Sequence, residues 1–163
     1  MSTVRTNNVQ VGQSLTATNN FTLYQPASPD GTVRLGVGNT GATTADVASF
    51  TSAGLFSFNS GYGSAAVAYG CRAWVNFNGT GTVAIRGSGN VSSITDNGTG
   101  RYALNFTNAL PDANYAVVSL AAGDMYVQIN NSVSYSTTTV SVATNNTSNA
   151  GVDSAVICVS IFR

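Results

Sequence analysis

The charged side chains of this 163-residue chain belong to six arginines and six aspartates, and the chain has no histidine, lysine or glutamate. General acid–base catalysis, activation of nucleophiles and metal binding rely mostly on histidine, glutamate, lysine and cysteine. Glycoside hydrolysis by a pair of carboxyl groups would have to use aspartate alone. We therefore expect that the protein is not an enzyme, that it has no catalytic residue, metal ligand or cofactor, and that it acts through shape and association.

Four of the aspartates lie beside turn-forming residues, where calcium can be bound by oxygen ligands. These are Asp30, Asp96, Asp112 and Asp124. Their spacing does not form the DxDxDG loop that is typical of calcium-binding proteins. We expect these carboxylates to cap turns instead.

The two cysteines, Cys71 and Cys158, form no CxxC motif and no metal-binding pattern. A protein that is made in the cytosol keeps its thiols reduced. We therefore expect two buried thiols, with a single disulfide between them as the alternative.

Five aromatic residues have two possible roles. They could form a stacking surface for sugars, or they could pack in the core or at a subunit interface, which is the role we expect. Along a predicted strand, Trp74 shares one side with Arg72 and Asn76, opposite Ala73, Val75 and Phe77, so its side of that strand faces either solvent or a subunit interface. The five residues are Tyr62, Tyr69, Trp74, Tyr126 and Tyr135.

The distribution of charge and hydropathy argues against two classes of partner. The net charge is zero and the arginines are dispersed, so no basic patch predicts binding to nucleic acid. No window approaches 18 consecutive apolar residues, and the first 20 residues have no apolar segment like that of a signal peptide. We expect no membrane partner.

The composition predicts an all-β protein. The chain has 17 glycines and is rich in serine, threonine and asparagine, while valine, phenylalanine and tyrosine are frequent among its apolar residues. Turn signals such as Asn78-Gly79 and Asn97-Gly98 separate about eight apolar segments in the second half, a spacing typical of sandwiches. We predict a C-terminal antiparallel β-sandwich over residues 67–163, with a jelly roll as one topology. Its predicted strands are residues 67–77, 81–86, 91–95, 101–106, 113–121, 125–129, 133–143 and 155–162.

The first half has a different pattern. Its apolar pieces, residues 21–24, 32–37, 46–50 and 55–58, are each about four to six residues long and too short to form a core alone. We predict that residues 1–66 form a β-rich region for attachment and trimerisation. Other copies of the chain would complete its core by burying Phe21, Leu23, Leu35, Phe50 and Phe56.

A resemblance to known proteins is carried by residues 71–118, which read CRAWVNFNGTGTVAIRGSGNVSSITDNGTGRYALNFTNALPDANYAVV. The most specific part is DNGTGRYALNFTNALPDANY, residues 96–115. This segment resembles the C-terminal domain of bacteriophage virion proteins, especially tail-fibre proteins and small structural proteins of phages that infect cyanobacteria. The opening MSTVRTNNVQ is similar to the start of such structural proteins, and residues 26–58 resemble the short β-repeats of fibre shafts.

The resemblance implies a homotrimer on the virion surface that is assembled in the host cytoplasm. Because 163 residues leave little room for a long shaft, we expect a knob that decorates or cements the capsid, with the major capsid protein as its partner. The alternative is an adhesin at the tip of a tail fibre or spike, which would bind glycans of the host surface.

Overall fold

The computed structural model describes residues 8–60, 64–129 and 135–163. Within these ranges the structure contains β-strands, loops and one three-residue 3-10 turn, Ala17–Asn19, but no α-helix. The prediction of an all-β protein is therefore confirmed. None of the described residues forms a helix that is long and apolar enough to cross a membrane. The chain divides into two compact units, Met1–Ala68 and Tyr69–Arg163.

The first unit contains one antiparallel sheet whose six strands follow one another in chain order. The sheet is a simple meander, so each strand pairs with the strands before and after it. Its strands are β1 (Asn8–Val11), β2 (Phe21–Tyr24), β3 (Thr32–Asn39), β4 (Ala42–Thr51), β5 (Phe56–Phe58) and β6 (Ala66–Val67).

The prediction that all strands of this region are short is wrong for β3 and β4, which have eight and ten residues. Residues 38–44, GNTGATT, were interpreted as a turn segment between two apolar pieces. Only Thr40 and Gly41 form the turn, and two irregularities in register accommodate the rest of the segment within the hairpin. Gly41 has a φ of 78°, a left-handed conformation that suits a tight turn.

The second unit is a β-sandwich of two four-stranded antiparallel sheets, as predicted. One sheet has the order β11-β14-β7-β8 and the other has the order β12-β13-β10-β9. The strands are β7 (Cys71–Asn78), β8 (Ala84–Gly89), β9 (Val91–Asp96), β10 (Arg101–Phe106), β11 (Ala116–Ala121), β12 (Met125–Ile129), β13 (Thr139–Asn146) and β14 (Ile157–Phe162).

The core of the sandwich is formed by the alternate residues that strand periodicity points inward. Three alternate residues of β10, Tyr102, Leu104 and Phe106, are buried. The rings of Phe77 and Tyr102 meet edge to face at the centre, with 5.1 Å between their centroids. The other buried apolar side chains of the cluster are Ala73, Val75, Val91, Leu110, Tyr115, Val140, Val142, Ile157, Val159 and Ile161.

The predicted strand over residues 133–143 differs most from the structure. Residues 130–134, including Val133, lie outside the described residues, and β13 begins only at Thr139. The later start of β13 is explained by Ser136. Its hydroxyl accepts hydrogen bonds from the backbone N–H groups of Thr138 and Thr139 and so forms a local turn before the strand.

The two cysteines are free, and Cys71 is exposed while Cys158 is half-buried. The expectation that both thiols are buried is therefore wrong for Cys71. In the pairing of β14 with β7, Cys158 lies opposite Asn76 and Cys71 lies opposite Phe162. The two thiols thus stand at opposite ends of neighbouring strands, about 16 Å apart at the usual rise per residue, too far for a disulfide.

Candidate functional site

One side of the N-terminal sheet carries almost only apolar side chains, and we call it the apolar face. The register fixes its composition, because residues paired across antiparallel strands point to the same side. Val9 pairs with Leu23, Leu23 with Leu35, Leu35 with Ala48 and Ala48 with Phe58. The apolar face comprises Val9, Val11, Phe21, Leu23, Val33, Leu35, Val37, Ala48, Phe50, Phe56 and Phe58.

No layer formed by the described residues of the first unit packs on the apolar face. Among the described residues before Tyr69, no apolar side chain is buried, and Val11 and Phe50 are 65% and 57% exposed. Phe50, Phe56 and Phe58 stack on one another along one edge, with ring centroids 4.9 and 6.0 Å apart. The five residues that sequence analysis expected to be buried between chains all lie on this face.

The opposite side of the same sheet is polar and ordered by hydrogen bonds. Asp46 accepts hydrogen bonds from the Tyr24 hydroxyl at 2.5 Å and from the Arg34 guanidinium at 3.0 Å. Arg34 also pairs with Asp30, and hydrogen bonds from Thr32, together with Arg34, lower the pKa of Asp30. The sheet therefore has one side whose polar groups pair with one another and one side that exposes apolar side chains.

A second exposed surface lies on the outer side of the sandwich, and we call it the Trp74 face. Arg72, Trp74 and Asn76 point outward from β7, while their neighbours Ala73, Val75 and Phe77 are buried, as the alternation predicted. The indole of Trp74 is 45% exposed and lies across β8. A Cβ atom on Gly89 would collide with the pyrrole edge of the indole, and one on Gly87 would meet its Cη2 at 3.4 Å.

The arginines of the Trp74 face have few partners. Arg86 on β8 makes one long contact, 3.5 Å from its Nη1 to Asn76 Oδ1. The Arg72 guanidinium has no hydrogen bond or ion pair with any residue that the structure describes. Arg72 also lines an adjacent groove of about 370 Å³ together with Asn90, Thr107, Asn108, Ala109 and Leu110.

Asn90 holds the groove together. Its side chain donates to the backbone carbonyls of Arg72 and Asn108, at 3.2 and 3.1 Å, and accepts from the Asn108 N–H at 2.8 Å. Its φ of 57° is left-handed, which asparagine tolerates better than most residues. The side chain ties the β8–β9 turn to β7 and to the loop after β10.

The four aromatic candidates that the structure describes do not form one surface. Trp74 lies on the outer side of one sheet and Tyr126 on the outer side of the other, where its hydroxyl donates to Asn149. Tyr135 stacks on Tyr115 with 4.4 Å between ring centroids. Tyr69 precedes β7 and is 70% exposed, and Tyr62 lies outside the described residues.

Three of the four turn aspartates accept a hydrogen bond from a backbone N–H two residues later. Asp30 accepts from Thr32, Asp96 from Gly98 and Asp112 from Asn114. Asp112 also pairs with Arg163, and this ion pair is the main cause of its lowered pKa. In the described ranges no three His, Cys, Asp or Glu side chains cluster as metal ligands would.

Two aspartates, Asp46 and Asp153, are not among the four turn candidates, and Asp153 has a structural role in the second unit. Its Oδ1 accepts from the Gly100 N–H at 2.6 Å and lies 2.8 Å from the hydroxyl of buried Tyr102, which is also 3.0 Å from Gly79 O. Burial, and then the Asp153 carboxylate, raise the pKa of Tyr102. Asp153 is 51 residues from Tyr102, so no local signal in the sequence joins them.

Known proteins offer no sequence match to this chain and one weak structural likeness. No protein family and no curated protein matches the sequence. A solved structure that resembles the chain is the phiAB6 tailspike in complex with three-repeated oligosaccharides of Acinetobacter baumannii surface polysaccharide. The likeness covers 86% of this chain and 33% of that one, at 15% identity and a TM-score of 0.47. This chain thus spans about a third of the length of the tailspike.

The likeness is too weak to argue for a function, but it corrects one expectation. The lack of histidine, lysine and glutamate led to the expectation that the protein is not an enzyme. That exclusion is wrong as it stands, since the similar protein is a tailspike solved with oligosaccharides of a surface polysaccharide.

Proposed function

We propose that the protein is a homotrimeric projection on the surface of a phage particle, joined through the apolar faces of three N-terminal sheets. The observation that carries the proposal is the uncovered apolar face, with no buried apolar side chain in the described part of the first unit. A sheet needs an apolar side packed against another layer to be stable in water. Further copies of the same chain supply such a layer.

The chemistry of the apolar face suits contact with its own copies. None of its residues is charged, so like surfaces meet without burying an unpaired charge. Fully burying one phenylalanine or leucine side chain is worth about 1.5–3 kcal/mol. With three phenylalanines on β4 and β5 alone, association would supply a substantial part of the stability of this unit.

The part of the proposal that places the protein on a virion rests on the resemblance of residues 71–118 to phage virion proteins. Within that class, we propose that the trimer decorates or cements the capsid, with the major capsid protein as partner. The second candidate is an adhesin at the tip of a tail fibre or spike that binds host surface glycans. The exposed Trp74 between arginines favours this second candidate.

Two measurements test the proposal. Light scattering on the purified protein at micromolar concentration should give three times the mass of the chain, and a monomer or a dimer would contradict the trimer. In a reconstruction of the particle, many copies on the shell would identify a decoration protein. A few copies at the tail would identify the adhesin instead, and absence from the particle would refute both.

A further inference from the structure

We propose that the Trp74 face and its adjacent groove form a binding site for an acidic oligosaccharide, with a uronic acid residue stacked on the indole of Trp74. The proposal rests on the geometry of the second unit alone and does not require the trimer.

The first argument is the support beneath the indole. Sugars present an apolar face of C–H groups, which packs against the face of an aromatic ring. Trp74 lies across β8 at Gly87 and Gly89, where there are no side chains to lift it away from the strand. Its 45% exposure leaves room for a pyranose on the solvent side. A binding platform held in this way loses little conformational freedom when a ligand binds.

The second argument is charge. The four strands of this sheet contain no aspartate, and they place Arg72 and Arg86 beside Trp74. Neither guanidinium has an acidic partner among the described residues. Arginine makes its strongest hydrogen bonds with carboxylates, often through two parallel contacts. A carboxylated sugar on Trp74 would provide the acidic group that these side chains lack.

The third argument is the groove, which extends the site beyond a single sugar. Arg72 belongs both to the Trp74 face and to the groove, whose volume of about 370 Å³ lies in the usual range for ligand sites. Thr107 and Asn108 line it with hydroxyl and amide groups, which suit sugar hydroxyls. Because Asn90 already fixes this loop by three hydrogen bonds, the groove does not need to form when the ligand binds.

Single-stranded nucleic acid could also stack on Trp74 and contact arginine. The observations favour sugar, because only two arginines flank the indole and the protein as a whole is neutral. Nucleic-acid affinity usually depends on neutralising several phosphates in a row. A second copy of the chain is the other competing occupant of this face.

The test is calorimetric titration of the full chain with oligogalacturonate, alginate oligomers and hyaluronan oligomers, and with neutral maltooligosaccharides and oligothymidylate as comparisons. We expect at least one acidic oligosaccharide to bind. Trp74→Ala should weaken that binding about tenfold, which corresponds to about 1.4 kcal/mol for the lost stacking contact. Arg72→Gln should weaken the binding of acidic oligosaccharides and should have little effect on the melting temperature of the protein. Tyr126→Ala, on the outer side of the other sheet, is the matched control and should leave affinity unchanged.

The proposal would be overturned if no acidic oligosaccharide bound the wild-type chain, or if Trp74→Ala bound it as tightly as wild type does. It would also be overturned if neutral oligosaccharides bound equally well, or if oligothymidylate bound more tightly than the acidic sugars. Light scattering on the same samples separates this site from the proposed trimer. A wild-type monomer that binds acidic sugar would refute only the trimer, and a Trp74→Ala variant that loses only its oligomeric state would show that this face is a subunit contact.

Discussion

Single residues at the centre of the sandwich carry polar groups that must find partners. The Tyr102 hydroxyl is fully buried and reaches both Gly79 O and Asp153 Oδ1. Asp153 in turn accepts from the Gly100 N–H. A buried polar group without a partner costs about 1–3 kcal/mol. The network therefore favours the arrangement in which the loops of Gly79, Gly100 and Asp153 meet beside Tyr102.

We expect Tyr102→Phe to lower the free energy of unfolding by about 1–3 kcal/mol, because it removes the hydroxyl from the buried Gly79 O and the half-buried Asp153 Oδ1. Chemical denaturation of the isolated protein measures the change. The control is Tyr126→Phe, whose hydroxyl bonds to Asn149 on an exposed side chain, and its effect should stay within about 0.5 kcal/mol. Equal effects of the two substitutions would show that burial of the Tyr102 hydroxyl is not what matters.

The sequence predicted single residues well where alternation alone decides their position. The inward direction of Ala73, Val75 and Phe77 followed from period two, and so did the outward direction of Trp74. Partners far apart along the chain were not predictable. Neither the contact of Asp153 with Tyr102 nor the glycines beneath Trp74 leaves a local pattern, since each depends on which strands become neighbours.

At the scale of elements, strand boundaries were predicted best where turns are marked by asparagine and glycine. The predicted bounds of β10 and β12 agree with the structure to the residue. In the first unit, the predicted strand ended at Val37 because a turn-like segment begins at Gly38, so the continuation of β3 to Asn39 was missed. Gly38 and the other glycine of β3, Gly36, are both buried against neighbouring groups, and a Cβ on Gly36 would lie 3.1 Å from the Tyr24 ring. Close packing, rather than a turn, explains the glycine there.

The apolar face gives an element-scale prediction. Phe50→Asp should convert the proposed trimer largely to monomer, because burying an unpaired carboxylate at the contact costs several kcal/mol. The matched control is Ser49→Asp, at the next residue of β4 but on the polar side, opposite Arg34. Sedimentation velocity should show a trimer for the control. A Phe50→Asp variant that remains trimeric would mean that the copies associate through another surface.

At the scale of the whole molecule, the two units differ in how they are stabilised. The second unit has a buried core of its own, whereas the first has none among its described residues. We expect a fragment of residues 69–163 to fold cooperatively and to be monomeric, since it retains the complete core. Circular dichroism melting and light scattering would check this. A fragment that is unfolded, or that is still trimeric, would contradict this division of roles.

The response to pH is a second whole-molecule prediction. The pKa values of Asp30 and Asp112 are lowered in the folded protein, so their stabilising effect is complete above the unfolded value and is lost as pH falls through the folded one. Burial raises the pKa of Tyr115 to about 12, so its contribution is complete below the unfolded value and is lost as pH rises through the folded one. The melting temperature should be nearly flat from about pH 5.5 to 8 and should fall below about pH 4 and above about pH 10.

Substitutions can isolate the acid side of this profile. Asp112→Asn should reduce the fall of the melting temperature below about pH 4, because it removes the ion pair with Arg163. Asp124→Asn, in an exposed turn, is the control and should leave the profile unchanged. A melting temperature that changes by many degrees between about pH 5.5 and 8 would reveal a strongly perturbed group.

Trp74 is the only tryptophan in the chain, and it stands half-exposed across the two glycines of β8. Its fluorescence therefore reports on one patch of the molecule and on nothing else. When the intact protein is excited at the red edge of the absorption band, its emission comes from this single indole on the outer side of the sandwich. Quenching by a dissolved solute, or a blue shift on contact, would measure directly whether that patch is open or covered, in solution and on an assembled particle.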